Sequence, residues 1–386
     1  MPGIFDERIA ALQEKMAEDK IDFVLLTDPD SIYYMSGFCG DLGIDFGRPM
    51  IVAIARSGSA TIVTPALEAL MVKPMVSIED IREWMDGVDG EWRKPLKDVL
   101  ASHQQLNIGI EWFDIPRRVS EWLLNELSGA TCIDISDILG KMRIIKSPEE
   151  IEVARQAGQV AVAMADAAAR TIAEGVPEYE VALAVIAAGT RKAAEFLDET
   201  GLDLFFSPTI HNLQVINSGV DTCVCHRRNS VRRLQKGDPV YLCFCTIAEF
   251  KKFKLGFDRE WFVKTVKDEH ARTYEICLEA QKAGLDMIRP GVIAQDVHLA
   301  VSEVYRAAGF EAGYRSGRGI GYSFCEDPEL KQGVKTPLEE GMTLCLDGGM
   351  TIPGEFGARV GDSFVVTKTG HEILTPYPKD LDSLII

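Results

Sequence analysis

The chain has 386 residues, 46% hydrophobic and 26% charged, the composition of a protein that buries a real core. Its 59 acidic and 41 basic residues leave a net charge of −18, which argues against non-specific binding to nucleic acid or an anionic membrane. No apolar run is long enough to span a bilayer, the charged start MPGIFDERIAALQEKM is not patterned as a signal peptide, and nine cysteines without framework spacing predict reduced thiols in a cytoplasmic protein.

The elements follow in chain order. Ile9, Leu12 and Met16 recur at helical spacing and predict a helix over Phe5–Asp19. Ile21–Thr27 is a buried-strand run stopped by the turn Asp28-Pro29-Asp30. Arg48–Ala55 and Ala60–Pro65 predict two strands across a Ser-Gly-Ser turn, Leu106–Glu111 a further strand, and Pro116–Glu126 a helix. Strands alternating with helices indicate an α/β domain, placed at residues 1–140, with a mainly parallel or mixed sheet.

The second domain is placed at residues 141–386. Ser147-Pro148-Glu149-Glu150 carries a Ser N-cap, Pro in the first turn and Glu at the third helical position. An Ala-rich helix follows to about Ala173, then the break Gly175-Val176-Pro177, then a helix from Glu178 to about Phe196. Ile172-Ala-Glu-Gly175-Val176 with Val181 matches Ile288-Arg-Pro-Gly291-Val292 with Val297, at constant offset. Strand-like sequence follows each copy: Gln214–Ser218, Val240–Thr246 and Trp261–Val266 after the first, Thr343–Asp347 and Asp362–Thr367 after the second. The pattern predicts an α+β domain of two similar halves with a curved, mainly antiparallel sheet.

Five ordered stretches carry a family likeness: Met142–Ala161, Asn217–Leu242, Ser316–Pro328, Glu339–Gly349 and Gly357–Thr375. They resemble the pita-bread fold shared by creatinase, prolidase and aminopeptidase P, and DPDSIYYMSGF at Asp28–Phe38 resembles the first domain of creatinase and prolidase. The metallopeptidases of that family hold two metal ions with two Asp, one His and two Glu. Aligned on the surrounding motifs, those five positions are Cys243, Gly256, Arg318, Asp347 and Gly361 here. Glycine offers no ligating side chain and arginine is a permanent cation, so the resemblance implies neither a metal centre nor any other cofactor. A register slip onto Asp258 or Asp362 would restore two ligands but not the rest.

Creatinase itself, which works without metal, is the better template. His226 falls where creatinase has its catalytic His; Asp258 and Asp347 fall where it has two Glu. The departures are Arg318 for a His, and Glu260 for the Thr after Arg259. The resemblance implies His226 as general acid/base, Asp258 and Asp347 as carboxylates for a guanidinium or ammonium, and Arg318, Cys243 and Cys325 as substrate-binding positions. Plainer readings stand beside these. His226 suits a surface position beside Arg227 and Arg228. Asp258 suits an ion pair with Arg259 or Lys254, and Asp347 a turn before Gly348-Gly349. Arg318 suits either a substrate carboxylate or an ion pair with Asp347. Cys223-x-Cys225 and Cys243-x-Cys245 suit buried thiols better than a soft-metal site, and a cysteine nucleophile beside His226 is a minority reading. The run Arg227-Arg228 to Arg232-Arg233 suits a solvated or dimer-facing loop.

The expected protein is a metal-independent hydrolase of a non-peptide C–N bond in a small guanidino, amidine or amide compound. By resemblance it is a homodimer, with no nucleic-acid or membrane partner. The alternatives are a divergent Xaa-Pro metallopeptidase, a lyase on a small zwitterion, and a non-catalytic binding protein on the same fold.

Overall fold

The computed structural model describes residues 3–40, 46–88, 90–100, 106–127, 129–200, 206–210, 215–243 and 250–386. The chain divides into two compact units, Met1–Met142 and Arg143–Ile386. Among the described residues no helix is long and apolar enough to cross a membrane.

The first unit runs α1 (Ile4–Glu18), β1 (Phe23–Leu26), α2 (Pro29–Ser36), β2 (Ile51–Ala55), β3 (Ala60–Pro65), α3 (Ala69–Met75), β4 (Asp80–Trp84), α4 (Arg93–Leu100), β5 (Asn107–Ile110), α5 (Arg117–Glu126) and β6 (Thr131–Asp134). Its six-stranded sheet has the order β4-β3-β2-β1-β5-β6. β2 pairs antiparallel with β1 and β3 while the other pairs are parallel, so the sheet is mixed. Phe23, Leu25, Ile51, Ala53 and Val63 pack on Trp92, Leu96, Val119 and Leu123 of the covering helices and their approaches. Asp28-Pro29-Asp30 ends β1 as expected, and it also starts a helix: Asp28 accepts a hydrogen bond from Ser31 N at 2.9 Å. The edge strands β4 and β6 are partly exposed and polar, which is why apolar patterning does not reveal them.

The second unit contributes α6 (Ser136–Ile144, begun just before the division), α7 (Pro148–Thr171), α8 (Glu178–Thr200), β7 (Val215–Ser218), β8 (Pro239–Cys243), β9 (Asp258–Phe262), α9 (Asp268–Met287), α10 (Ala294–Ala307), β10 (Gly317–Gly319), β11 (Glu326–Leu330), β12 (Thr343–Ile352), β13 (Phe356–Val366), β14 (His371–Ile373) and α11 (Leu381–Leu384). Its eight-stranded sheet has the order β11-β10-β12-β13-β9-β8-β7, with β14 also on β13, and every pairing is antiparallel. α7 starts at the expected place. Ser147 Oγ accepts from Glu150 N at 3.2 Å, and Glu150 Oε2 accepts from Ser147 N at 2.7 Å.

The internal repeat is structural. Gly175 and Gly291 both adopt φ +87°, a conformation open to glycine at no steric cost. Gly175 N donates to Leu234 O and Gly291 N to Leu338 O, both at 2.8 Å. The likeness continues beyond the sequence match: Gly237 N donates to Val263 O and Gly341 N to Val366 O. One expected strand is displaced. Trp261–Val266 is instead Asp258–Phe262, because the strand begins with three buried polar residues that hydrophobic patterning passes over.

Alternation along β9 and β13 sends Arg259 and Asp362 to one face of the sheet. They form a buried ion pair at 2.6 Å. Arg259 also donates to the carbonyls of Asp258, Gly361, Pro378 and Tyr377, while Asp362 also accepts from Lys379, Gln281 and Thr375. Burial pushes the Asp362 carboxyl up, but Arg259 and Lys379 outweigh it and hold the group below its ordinary value. Its contribution is therefore full above the ordinary carboxylate value and lost as pH falls through the lowered one. Asp362→Ala strands a buried arginine and should cost about 3–5 kcal/mol in urea unfolding at pH 7. A loss no larger than that of a surface substitution would refute this account of the pair.

Candidate functional site

The opposite face of the same strands holds the expected site residues. Asp347 lies opposite Gly361, Gly361 opposite Asp258, and Asp258 opposite Cys243. In the next row Gly349 lies opposite Arg359, and Glu260 opposite Tyr241. Arg318 on β10 lies opposite Cys345, two residues before Asp347 and therefore on the same face. The register thus gathers Asp258, Asp347 and Arg318, as the alignment of motifs requires.

Arg318 forms an ion pair with Asp347, and the arginine is 1% exposed. Of the two readings left open for Arg318, this is the ion pair. Its Nε donates to Phe324 O at 3.1 Å, and its Cζ stands 3.9 Å from the centre of the Phe324 ring. Asp258 accepts from the Tyr241 hydroxyl at 3.1 Å. Arg259, the partner expected for Asp258, points to the other face and pairs with Asp362. Burial, reinforced by the Asp347 charge, pushes the Asp258 carboxyl up to about 7, with Tyr241, Arg318 and Arg359 pulling the other way. Burial also pushes the Glu260 carboxyl well up from its ordinary value, with the Arg359 backbone N–H and charge pulling the other way.

Gly256 and Gly361, which the motif alignment sets against ligand positions, are filled space, not vacancies. A Cβ on Gly361 would come within 2.8 Å of Asp258 Oδ2 and 3.0 Å of Asp347 Cβ. A Cβ on Gly256 would collide with Cys345 Sγ and lie 3.3 Å from Arg318 Nη2. Asp362, the slip candidate, faces away in its own ion pair. Among the described residues no group of three or more His, Cys, Asp or Glu side chains could hold a metal ion. The donor set does not fit the dinuclear centre: of the five aligned positions two are glycines, one is the disulfide-bonded Cys243, one is Arg318, and the one carboxylate, Asp347, already neutralises that arginine.

His226 is not in direct contact with this cluster. It lies exposed in the turn after the short helix Gly219–Cys223, and among the described residues no hydrogen bond or ion pair joins it to Asp258 or Asp347. The turn is nevertheless held from the sheet. Asn217 on β7 donates to Val224 O at 3.3 Å and Arg227 O at 3.1 Å. Asn217 itself lies opposite Tyr241, at the end of the second row, and tethers the turn there.

The cysteines and the basic run depart from expectation. Cys243 is disulfide-bonded, so the reading of nine reduced thiols fails there, and Cys245 lies outside the described residues. Cys325 is an exposed free cysteine 4.0 Å from Arg315 Nη1. Arg227 and Arg232 are not simply solvated. Arg227 pairs with Asp221 at 3.2 Å, and Arg232 pairs with Asp238 at 2.6 Å and donates to Ser218.

Sequence reading missed Tyr241, Glu260 and Arg359 as site residues. The signal that could have found them is spacing by two: each lies two residues from a position already singled out, Cys243, Asp258 or Gly361. Buried polar atoms without partners mark the same face, at Glu260 Oε1, Arg318 Nη2 and Arg359 Nη1.

Comparison with known proteins bears on the family and the fold. Residues 152–368 match the model of metallopeptidase family M24, and residues 8–145 that of the creatinase/prolidase N-terminal domain. The chain is 31% identical to agropine synthesis cyclase of Rhizobium rhizogenes, over 97% of this chain and 96% of that one. It is 28% identical to creatinase of Bacillus sp. (strain B-0618), over 96% of this chain and 90% of the relative. Among solved structures, the prolidase from Pyrococcus horikoshii OT3 superposes with a TM-score of 0.83 at 26% identity, covering 97% of this chain and 99% of that chain.

The raised Asp258 carboxyl has a measurable consequence. A group whose folded value rises from 3.8 to about 7 binds its proton more tightly in the folded chain, so it lowers stability as pH climbs through that window. Asp258→Asn keeps the acceptor for Tyr241 and removes the charge. Chemical denaturation should find the variant more stable than the parent at pH 8, by up to about 4 kcal/mol, and the difference should shrink towards zero near pH 4. Equal differences at both pH values would mean that Asp258 is not held at a raised value.

Proposed function

The chain belongs to metallopeptidase family M24, and on that premise we propose that it is a metal-independent hydrolase of a non-peptide C–N bond in a small guanidino, amidine or amide compound. The observation that carries this reading is the Arg318–Asp347 ion pair packed against Gly256 and Gly361. It puts a fixed cation and no donor set where the metallopeptidases bind metal. A Xaa-Pro metallopeptidase needs that donor set, and similarity to prolidases in fold does not supply it.

The proton-transfer groups remain. Asp258, with a carboxyl near neutrality, is suited to give and take a proton at physiological pH. His226, on the turn tethered beside Tyr241, is the general acid/base of this reading: it removes a proton from the attacking water and returns one to the leaving nitrogen. Asp258 and the Arg318–Asp347 pair hold the reacting group. Similarity to creatinase supports a small substrate.

A second reading draws on the 31% identity to a cyclase. There a nucleophile within the substrate attacks the substrate's own carboxyl carbon in place of water, the C–O bond to the carboxyl hydroxyl breaks as the same acid–base groups protonate it, and a ring and one water are the products.

The test is turnover by protein stripped with a chelator. Guanidino, amidine and amide acids are incubated with it, and products are followed by mass spectrometry. The expected result is chelator-insensitive cleavage that drops at least about a hundredfold in His226→Ala. Ring closure with loss of water would select the second reading. Release of amino acids from Xaa-Pro dipeptides only after manganese or cobalt loading would overturn both.

A further inference from the structure

We propose that Arg318 is a catalytic residue whose Nη2 stabilises an oxyanion, so that the bond cleaved is the C–N bond of a neutral carbonyl compound, an amide or lactam, and not that of a guanidinium or amidinium. The inference rests on the hydrolase reading above and narrows its substrate class.

Arg318 is built into its place from all sides. It is flanked by Gly317 and Gly319, where a Cβ would collide with the backbone oxygens of Cys345 and Asp327. β10 therefore lies hard against β12 and β11, and the arginine is the one side chain it projects. Nη1 goes to Asp347, Nε to Phe324 O, and the guanidinium plane rests by the Phe324 ring. Nη2 is buried and has no partner. The missing side chain of Gly256 is what leaves room for it. A buried donor without an acceptor is unfavourable, and a guanidinium cannot relieve that by losing a proton. The site is thus one hydrogen-bond acceptor short, at a fixed positive charge that also acts electrostatically on Asp258.

A carbonyl oxygen supplies that acceptor, and its demand grows during reaction. Water adds to the carbonyl carbon, forming a new C–O bond while its proton passes to the general base. The π electron pair of the carbonyl moves onto the oxygen held by Nη2. When the tetrahedral intermediate collapses, the carbonyl re-forms, the C–N bond breaks, and the nitrogen leaves with the proton. The products are a carboxylic acid and an amine, with water as the sole co-reactant. Nη2 bonds more strongly to the oxyanion than to the neutral oxygen, which is the condition for raising kcat. A guanidinium or amidinium offers no acceptor at the reacting carbon. It would meet Arg318 charge against charge, and Asp347, the carboxylate that would hold it, is already taken.

The experiment compares amides and lactams with guanidino and amidine compounds of matched size on the chelator-stripped protein, then repeats the best substrate on Arg318→Lys and on the double variant Arg318→Ala/Asp347→Ala. The double variant leaves no unpaired buried charge and covers the case in which a single loss prevents folding. The expected result is preference for the carbonyl compounds. For the variants, kcat should fall about a hundredfold or more with KM changed far less, and added guanidinium chloride should recover part of the rate in the double variant. Preference for guanidino or amidine compounds, or a variant with unchanged kcat and a raised KM, would overturn this inference alone. No turnover of any compound by the parent protein would overturn the hydrolase reading beneath it.

Discussion

The second unit is organised by two ion pairs on opposite faces of one sheet, and the Arg318–Asp347 pair is the one that fixes the face left with unsatisfied polar atoms. The four strands β12, β13, β9 and β8 set carboxylates in adjacent rows, an arrangement that would repel itself without a counter-charge. The Arg318 guanidinium supplies it, fixed by its strand and by the Phe324 ring.

The contrast between the faces is as informative as the pair itself. Asp258 and Arg259 are neighbours in sequence, as are Gly361 and Asp362. On one face Arg259 and Asp362 satisfy each other with help from Lys379, Gln281 and four carbonyls. On the other, Glu260, Arg318 and Arg359 each keep a buried polar atom without a partner. Folding alone would favour satisfaction on both. The saturated face is structural and takes its cover from α9 and the segment around Lys379. The unsatisfied face is the one where a small molecule has something to complete.

Much of this was legible in the sequence, because it is written locally. The Ser147 capping box, the glycine breaks at Gly175 and Gly291, and the strand Ala60–Pro65 depend on neighbouring residues, and they fall where patterning puts them. The motif likeness brought Asp258, Asp347 and Arg318 to one face because register follows from the shared fold. What escaped was non-local. Glu260 and Arg359 look like surface charges in a linear reading, and only the pairing of β9 with β13 buries Glu260 and brings the Arg359 backbone N–H to its carboxylate at 3.2 Å. β10 and β14 span three residues each, too short for any periodicity. The chemistry of His226 is the least legible part: its turn is tethered through Asn217, and nothing in the local sequence states how near it comes to the carboxylates.

The crowding around Gly256 and Gly361 also couples the substitutions these positions tolerate. An acidic residue placed at Gly256 would run into Cys345 and the Arg318 guanidinium, and one placed at Gly361 would run into Asp258 and Asp347. Neither substitution is accommodated while the arginine stays, and the arginine cannot leave without stranding Asp347. Substitutions at Gly256, Gly361 and Arg318 are therefore epistatic: a larger side chain fits at neither glycine unless its neighbours give way first, and the arginine leaves cleanly only together with Asp347.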